Sequence, residues 1–168
     1  ALIAREKEAD LRDRGYGDDI VARAQAYLYD PGISVYREAR LARAKFDIHA
    51  MHDPTEGGLA MGLHELAEAA GVGLLVDAQR IEILPECRTL CEEFGLDPLG
   101  TIASGSLLIT LPAEEADLLI EALVAENIPA SFIGRVQSRE MGTMLMNRGE
   151  VTALPTFPRD EITKLFAQ

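Results

Sequence analysis

His49-Ala50-Met51-His52-Asp53-Pro54-Thr55-Glu56-Gly57-Gly58-Leu59 passes from a short apolar-leaning run into a polar turn and then a glycine pair. Asp47 to Met51 reads as a strand. Beyond the glycines Leu59, Leu63, Leu66 and Ala70 recur at helical spacing, so the turn joins a strand to the mouth of a helix. The first turn of a helix leaves backbone N–H groups unpaired and carries partial positive charge. Glycines there let a phosphate approach the backbone without meeting a Cβ. Gly57 and Gly58 are therefore candidate anion-binding residues, their amides expected to face outward into a cleft bordered by Asp53 and Thr55. Thr55 can cap the helix or turn its hydroxyl to a ligand. Asp53 can orient the loop or hold a Mg²⁺-bound water, since Mg²⁺ keeps much of its water and takes few protein carboxylates. Asp-Pro-Thr is also a good helix-opening sequence, and paired glycines often serve only close helix–sheet packing. On the anion reading Gly58→Val weakens binding far more than folding; on the packing reading the order reverses.

Outward from this stretch the pattern alternates. Gly71 and Gly73 end the helix, and Leu74 to Asp77 reads as a buried strand. Pro85 opens a helix with Cys87, Leu90, Cys91 and Phe94 on one face, stopped by Gly95. Ser106 to Leu111 reads as a second apolar strand. Pro112 leads into a helix striped by Ala116, Leu119, Ile120, Leu123 and Val124, closed by Asn127, and Ala130 to Val136 reads as a third strand. Thr143–Met146 and Val151–Leu154 flank Asn147-Arg148-Gly149-Glu150, a hairpin signal. Pro158 and Asp160 begin a short last helix with Ile162, Leu165 and Phe166. Upstream, residues 1–45 read as helices, one capped by Asp18 and stopped at Asp30-Pro31-Gly32, the next opened by Ser34. Alternating elements with a late hairpin predict an α+β layered domain whose mixed β-sheet is flanked by helices. The expected division is a helical segment over residues 1–45, packed on a core domain over residues 46–168.

The chain has 168 residues, 48% hydrophobic and 26% charged, enough for a sizeable core. Its formal charge of −12 argues against a nucleic-acid partner, which needs clustered Lys and Arg. A small anion bound by backbone amides remains compatible with that charge. No run of about 20 apolar residues is present for a membrane span, and Ala-Leu-Ile-Ala-Arg-Glu-Lys is no signal peptide. The chain opens on Ala1 rather than Met, which suggests a piece cut from something longer. With two cysteines one helical turn apart and no secretory signature, a cytoplasmic location is expected.

The segment His49 to Leu59, followed by Gly71-Val72-Gly73, resembles the C-terminal domain of the aminoimidazole ribonucleotide (AIR) synthetase superfamily. The similarity continues through Leu96-Asp97-Pro98-Leu99, Ala103-Ser104-Gly105-Ser106-Leu107-Leu108-Ile109, Pro112 and Ile133-Gly134-Arg135-Val136. It covers about Pro31 to Val136, and the Asp-Pro-Thr-x-Gly-Gly form is most similar to the hydrogenase-maturation branch. The resemblance implies ATP-dependent phosphorylation of an oxygen or a selenide. It further implies that ATP, Mg²⁺ and the homodimer interface belong mostly to an N-terminal domain that would precede Ala1, so this chain alone is expected to be inactive. The C-terminal domain then supplies the phosphate or substrate side through its glycine turn, with His49 oriented beneath it. Two departures accompany the resemblance. Residues 158–168 hold no counterpart of the cysteine that ends the carbamoyl dehydratase, and Ser104 stands where many relatives carry an acidic residue.

His49, His52 and His64 invite a metal reading, but strand alternation sets the first two on opposite faces. Cys87 and Cys91 share a stripe with Leu90 and Phe94 and read as core, with a redox role as the alternative. Met141, Met144 and Met146 read as gap-fillers or an interface, and Glu65 and Glu68 as a solvated face. Besides an enzyme half, the composition also admits a standalone non-catalytic module with the same fold that binds an anion or other ligand, or a structural assembly partner.

Overall fold

The computed structural model describes residues 1–166. Three helices, α1 (Leu2–Glu6), α2 (Glu8–Asp13) and α3 (Asp18–Ala26), lead through an irregular turn over Leu28–Gly32 into α4 (Tyr36–Lys45). Asp18 is the first residue of α3 and Gly17 its N-cap, while Val35 rather than Ser34 precedes α4; neither end has a side-chain cap. Then follow β1 (Ala50–His52), α5 (Gly58–Ala70), β2 (Gly73–Asp77), α6 (Pro85–Glu93), β3 (Leu108–Thr110) and α7 (Ala116–Val124). The chain continues through β4 (Gly134–Gln137), β5 (Thr143–Asn147) and β6 (Glu150–Ala153), and finishes in a 3₁₀ turn over Glu161–Leu165. Among the described residues, no helix is long and apolar enough to cross a membrane.

The mixed sheet has the strand order β4-β2-β5-β6, with β2 and β5 parallel and the outer pairs antiparallel. Leu74 and Val76 of β2, with Leu145 of β5, face Ala60, Leu63, Leu66 and Ala67 of α5. Successive strand side chains point to opposite faces, so this one face buries the apolar set. The hairpin stands where Arg148 and Gly149 take positive φ, as its turn chemistry requires.

Two strand expectations need correction. The run Ser106 to Leu111 does not join the main sheet. Only Leu108–Thr110 is strand, and it pairs with β1 in a separate antiparallel ladder, Ala50 opposite Thr110 and His52 opposite Leu108. Met51 and Ile109 of that ladder pack with Ala42, Leu119 and Leu123, which draws it toward α4 and α7. The run from Ala130 becomes a ladder only at Gly134. A Cβ at Gly134 would sit 2.3 Å from the Leu75 carbonyl oxygen, so the backbones close up where that glycine stands.

Residues 1–45 are packed into the core. Ile3, Ala4, Leu11, Val21 and Ala24 share one cluster with Leu90, Cys91, Leu96 and Ile162, and Ala42 joins a second with α7. Leu90 and Cys91 are buried on the predicted α6 stripe, with Cys87 and Phe94 at its margin. Gly95, at φ 63°, reverses the chain after α6, and the Leu96 N–H donates back to the Cys91 carbonyl at 2.8 Å.

Candidate functional site

Short-range forces shape the turn before α5 first. Pro54 is fully buried, and Gly62 on α5 lies against it; a Cβ at Gly62 would come 2.5 Å from Pro54 Cβ. Strand β1 is thereby pressed onto the first half of α5. Gly57, at φ 77°, is the N-cap and has no side chain of its own to cap the helix. Thr55 contributes through its carbonyl, which accepts from Gly58 N–H at 3.1 Å and from Ala103 N–H at 3.2 Å. Its exposed side chain is left facing solvent beside exposed Asp53 and Glu56.

The amides themselves are committed within the chain. Gly57 N–H donates to the buried Asp160 carboxylate at 2.8 Å, and Ala60 N–H to the Leu99 carbonyl at 2.9 Å. Asp160 Oδ1 also accepts from Ile162 N–H at 2.9 Å, so one carboxylate caps the final 3₁₀ turn and meets the mouth of α5. A carboxylate there is stabilised by the helix dipole and by charge-assisted hydrogen bonds. Gly58 is buried at φ 67°, and a Cβ on it would lie 2.5 Å from the Leu99 oxygen and 2.7 Å from the Thr101 oxygen. The expectation of two outward amides in an open cleft is therefore corrected: an internal anion and a backbone loop fill that space. Gly58 serves close packing in this conformation.

Half-buried Phe157 and buried Glu161 complete the closure. Phe157 lies over Gly100, where a Cβ would meet its ring at 2.4 Å. Glu161 accepts from Asp97 N–H at 3.0 Å and pairs with Lys164, while its own N–H donates to the Gly100 carbonyl at 3.0 Å. Burial opposes ionisation of Glu161, but the Lys164 ammonium and the Asp97 amide outweigh it and hold its carboxyl below the usual range. An open groove of about 690 Å³ runs along this strap, lined by Phe157, Arg159, Asp160, Glu161 and Lys164 among others.

The sequence-predicted residues divide into two groups. Asp53, Thr55, Gly57 and Gly58 are brought together at the turn. His49 is not beneath it: it precedes β1 as Asp53 follows it, about 13 Å away along an extended strand. His49 is exposed, with its backbone N–H on the Thr110 carbonyl at 2.9 Å. His52 Nε2 meets Glu65 Oε2 at 2.8 Å, so Glu65 is more than a solvated residue. His64 Nε2 faces the Leu154 and Pro155 carbonyls, each at 3.2 Å. Among the described residues no three His, Cys, Asp or Glu side chains gather as a metal site. Asp53 fits Mg²⁺ only as a single ligand, with water and phosphate oxygens supplying the rest.

Asp160, Gly100 and Phe157 were not found by pattern reading. Asp160 was visible as a helix-opening residue, but nothing local tells which distant amide its second oxygen meets.

Residues 18–147 match the family described as AIR synthase related protein, C-terminal domain. The chain belongs to that family. It is 38% identical over 104 residues to carbamoyl dehydratase HypE of Azotobacter vinelandii, covering 61% of this chain and 30% of that protein. It is 36% identical over 108 residues to a putative hydrogenase expression/formation protein of Methanocaldococcus jannaschii, covering 63% and 32%. The chain thus spans about a third of the length of these relatives. The crystal structure of Escherichia coli HypE superposes with a TM-score of 0.69 at 26% identity, over 78% of this chain and 42% of that one. HypE in complex with ATP gives 0.61 at 26% identity, over 85% and 41%. Thiamine monophosphate kinase from Aquifex aeolicus shares the fold, with a TM-score of 0.59 at 20% identity over 90% and 48%.

Proposed function

We propose that this chain is the phosphate- or substrate-side domain of an ATP-dependent, hydrogenase maturation-like enzyme, acting with an N-terminal ATP-binding domain. The supporting observation is the turn before α5, where exposed Asp53 and Thr55 border a helix mouth inside a family with an ATP-bound relative. In this reading Asp53 supplies one carboxylate to a metal-bound phosphate and Thr55 its hydroxyl. Gly57 and Gly58 hold the turn in shape. His49 lies at the far end of β1 and takes a substrate-side position only if the ligand extends along the strand. ATP and Mg²⁺ are bound mostly by the other domain, which also forms the homodimer, and residues 1–45 make the joint to it. The protein works in the cytoplasm on a small anionic or nucleotide ligand.

A second reading, a purely structural assembly partner, is favoured by one specific observation. Asp160 already satisfies the Gly57 amide, which is how a helix mouth is closed when it has only a structural duty.

The decisive experiment compares ATP turnover by this chain with turnover by the same chain joined to whatever domain its upstream coding sequence encodes. The enzyme-half reading expects none above buffer from the chain alone and measurable turnover when joined. Asp53→Asn should then lower turnover of the joined protein at least about tenfold while leaving its melting temperature unchanged. Turnover by the chain alone, or no domain upstream, would sink the proposal.

A further inference from the structure

Helix α6 holds a pair of thiols outside the glycine-turn site. Pro85 opens the helix and has no N–H to offer, and the Arg88 N–H is bonded to the Leu84 carbonyl at 3.0 Å. Cys87 lies before that bond, among the first-turn residues whose amides have no intrahelical acceptor. Cys91 follows one turn later on the same face, and the two Sγ atoms stand 3.9 Å apart. Their surroundings differ. Cys91 is fully buried, with its Sγ 3.9 Å from Thr101 Oγ1, whereas Cys87 is partly exposed.

We propose that Cys87 and Cys91 form a peroxide-sensitive dithiol, with Cys87 the attacking thiol at the rim and Cys91 the resolving thiol beneath it. The Cys87 thiolate attacks one oxygen of hydrogen peroxide. The O–O bond breaks, the departing hydroxide takes up a proton, and Cys87 becomes a sulfenic acid. The Cys91 sulfur then attacks Cys87 Sγ, the S–O bond breaks, and the hydroxyl leaves as water with the Cys91 proton. Two thiols and one peroxide yield one disulfide and two waters. The hydrogen bond from Cys91 lowers the Cys87 pKa to about 7, while the same contact and burial push Cys91 up. The proton thus stays on Cys91 until the sulfenic acid has formed.

Closing the bond has a conformational consequence. Side chains four apart on a helix keep their Cβ atoms about 5–6 Å apart, whereas a disulfide needs about 3.5–4.5 Å. The first turn of α6 must therefore yield, and Glu86 in that turn ties it to α3 through Arg23 at 2.9 Å and Tyr27 at 3.1 Å. Oxidation would slacken this α3–α6 tie. A disulfide formed against helix geometry is easily reduced, which suits a reversible sensor.

The test treats the reduced chain with about one equivalent of hydrogen peroxide and reads the intact mass, a peptide map and the melting curve. The expected product has lost two hydrogens, links Cys87 to Cys91, melts at lower temperature and reverts with dithiothreitol. With Cys91→Ala, Cys87 should stop at a sulfenic acid that dimedone captures. In the native reduced chain Cys87 should be alkylated at least about tenfold faster than Cys91, with a half-maximal rate near pH 7. Oxidation of Cys87 to sulfinic acid without a link, a link only between chains, or equal alkylation of both thiols would overturn the proposal. The wild-type map decides the matter even if Cys91→Ala fails to fold.

Discussion

Helices α5 and α6 begin in opposite ways. The mouth of α5 is closed by the chain itself: Gly57 meets the Asp160 carboxylate, Gly58 lies under two carbonyls, and Ala60 donates to Leu99. The mouth of α6 is opened by Pro85 and holds its surroundings through side chains, Glu86 on Arg23 and Tyr27, and Cys87 against Cys91. The first arrangement tolerates no added atom at Gly58, because the contacts there are backbone carbonyls. The second leaves one nucleophilic group, Cys87, part-way to solvent. The glycine pair at a helix mouth is thus packed rather than open, while the cysteine pair divides, Cys91 in the core as its stripe predicts and Cys87 at the margin.

Gly58→Val tests this contrast most severely. The substitution forces a β-branched residue into φ 67° and against the Leu99 and Thr101 oxygens, and should cost more than about 3 kcal/mol. A urea titration showing wild-type stability would mean that the loop over residues 99–101 moves aside and that the mouth can open. Asp160→Ala comes next. It strands Gly57 N–H and removes the cap from Ile162, and the loss should be about 2–3 kcal/mol. Inorganic phosphate should restore part of that stability if the vacated mouth still accepts an anion. No rescue at any phosphate concentration would favour the purely structural reading.

The cysteines should respond unequally. Cys91→Ser buries a hydroxyl with poor partners and should cost about 1–3 kcal/mol, whereas Cys87→Ser should stay within about 0.5 kcal/mol. Equal losses would contradict the difference in burial between rim and core. The smallest effect belongs to Glu86, whose carboxyl is held below its ordinary range by its own backbone N–H, then by Arg23 and Tyr27. A depressed folded-state pKa contributes stability that is present above the unfolded-state value, and the contribution is lost as pH falls through the folded value. The melting-temperature gap between wild type and Glu86→Gln should therefore be level from neutrality down to the carboxylate range and shrink below it. A gap that widened with acid would reverse the sign of this coupling.

Much of the fold was legible because its signals are local. Leu74 to Asp77 carries the apolar run of a central strand, Gly95 the left-handed stop of α6, and Arg148-Gly149 the turn of the hairpin. The family resemblance rested on several such segments in order, and residues 18–147 match accordingly. At the turn, Asp53, Thr55, Gly57 and Gly58 lie together because they are neighbours in sequence. Which way their groups point was not a local matter.

From sequence alone the chain is a mixed α+β domain of the AIR synthase-related family with a glycine turn opening α5, since spacing, punctuation and turn residues act within a few positions. Only the tertiary structure decided that β1 and β3 leave the main sheet, because Met51 and Ile109 find their partners on α4 and α7. Only there does Asp160 meet Gly57, 103 residues away, and close an amide that was expected to face outward. A helix mouth demands an acceptor, and its own few residues do not determine which distant group will answer.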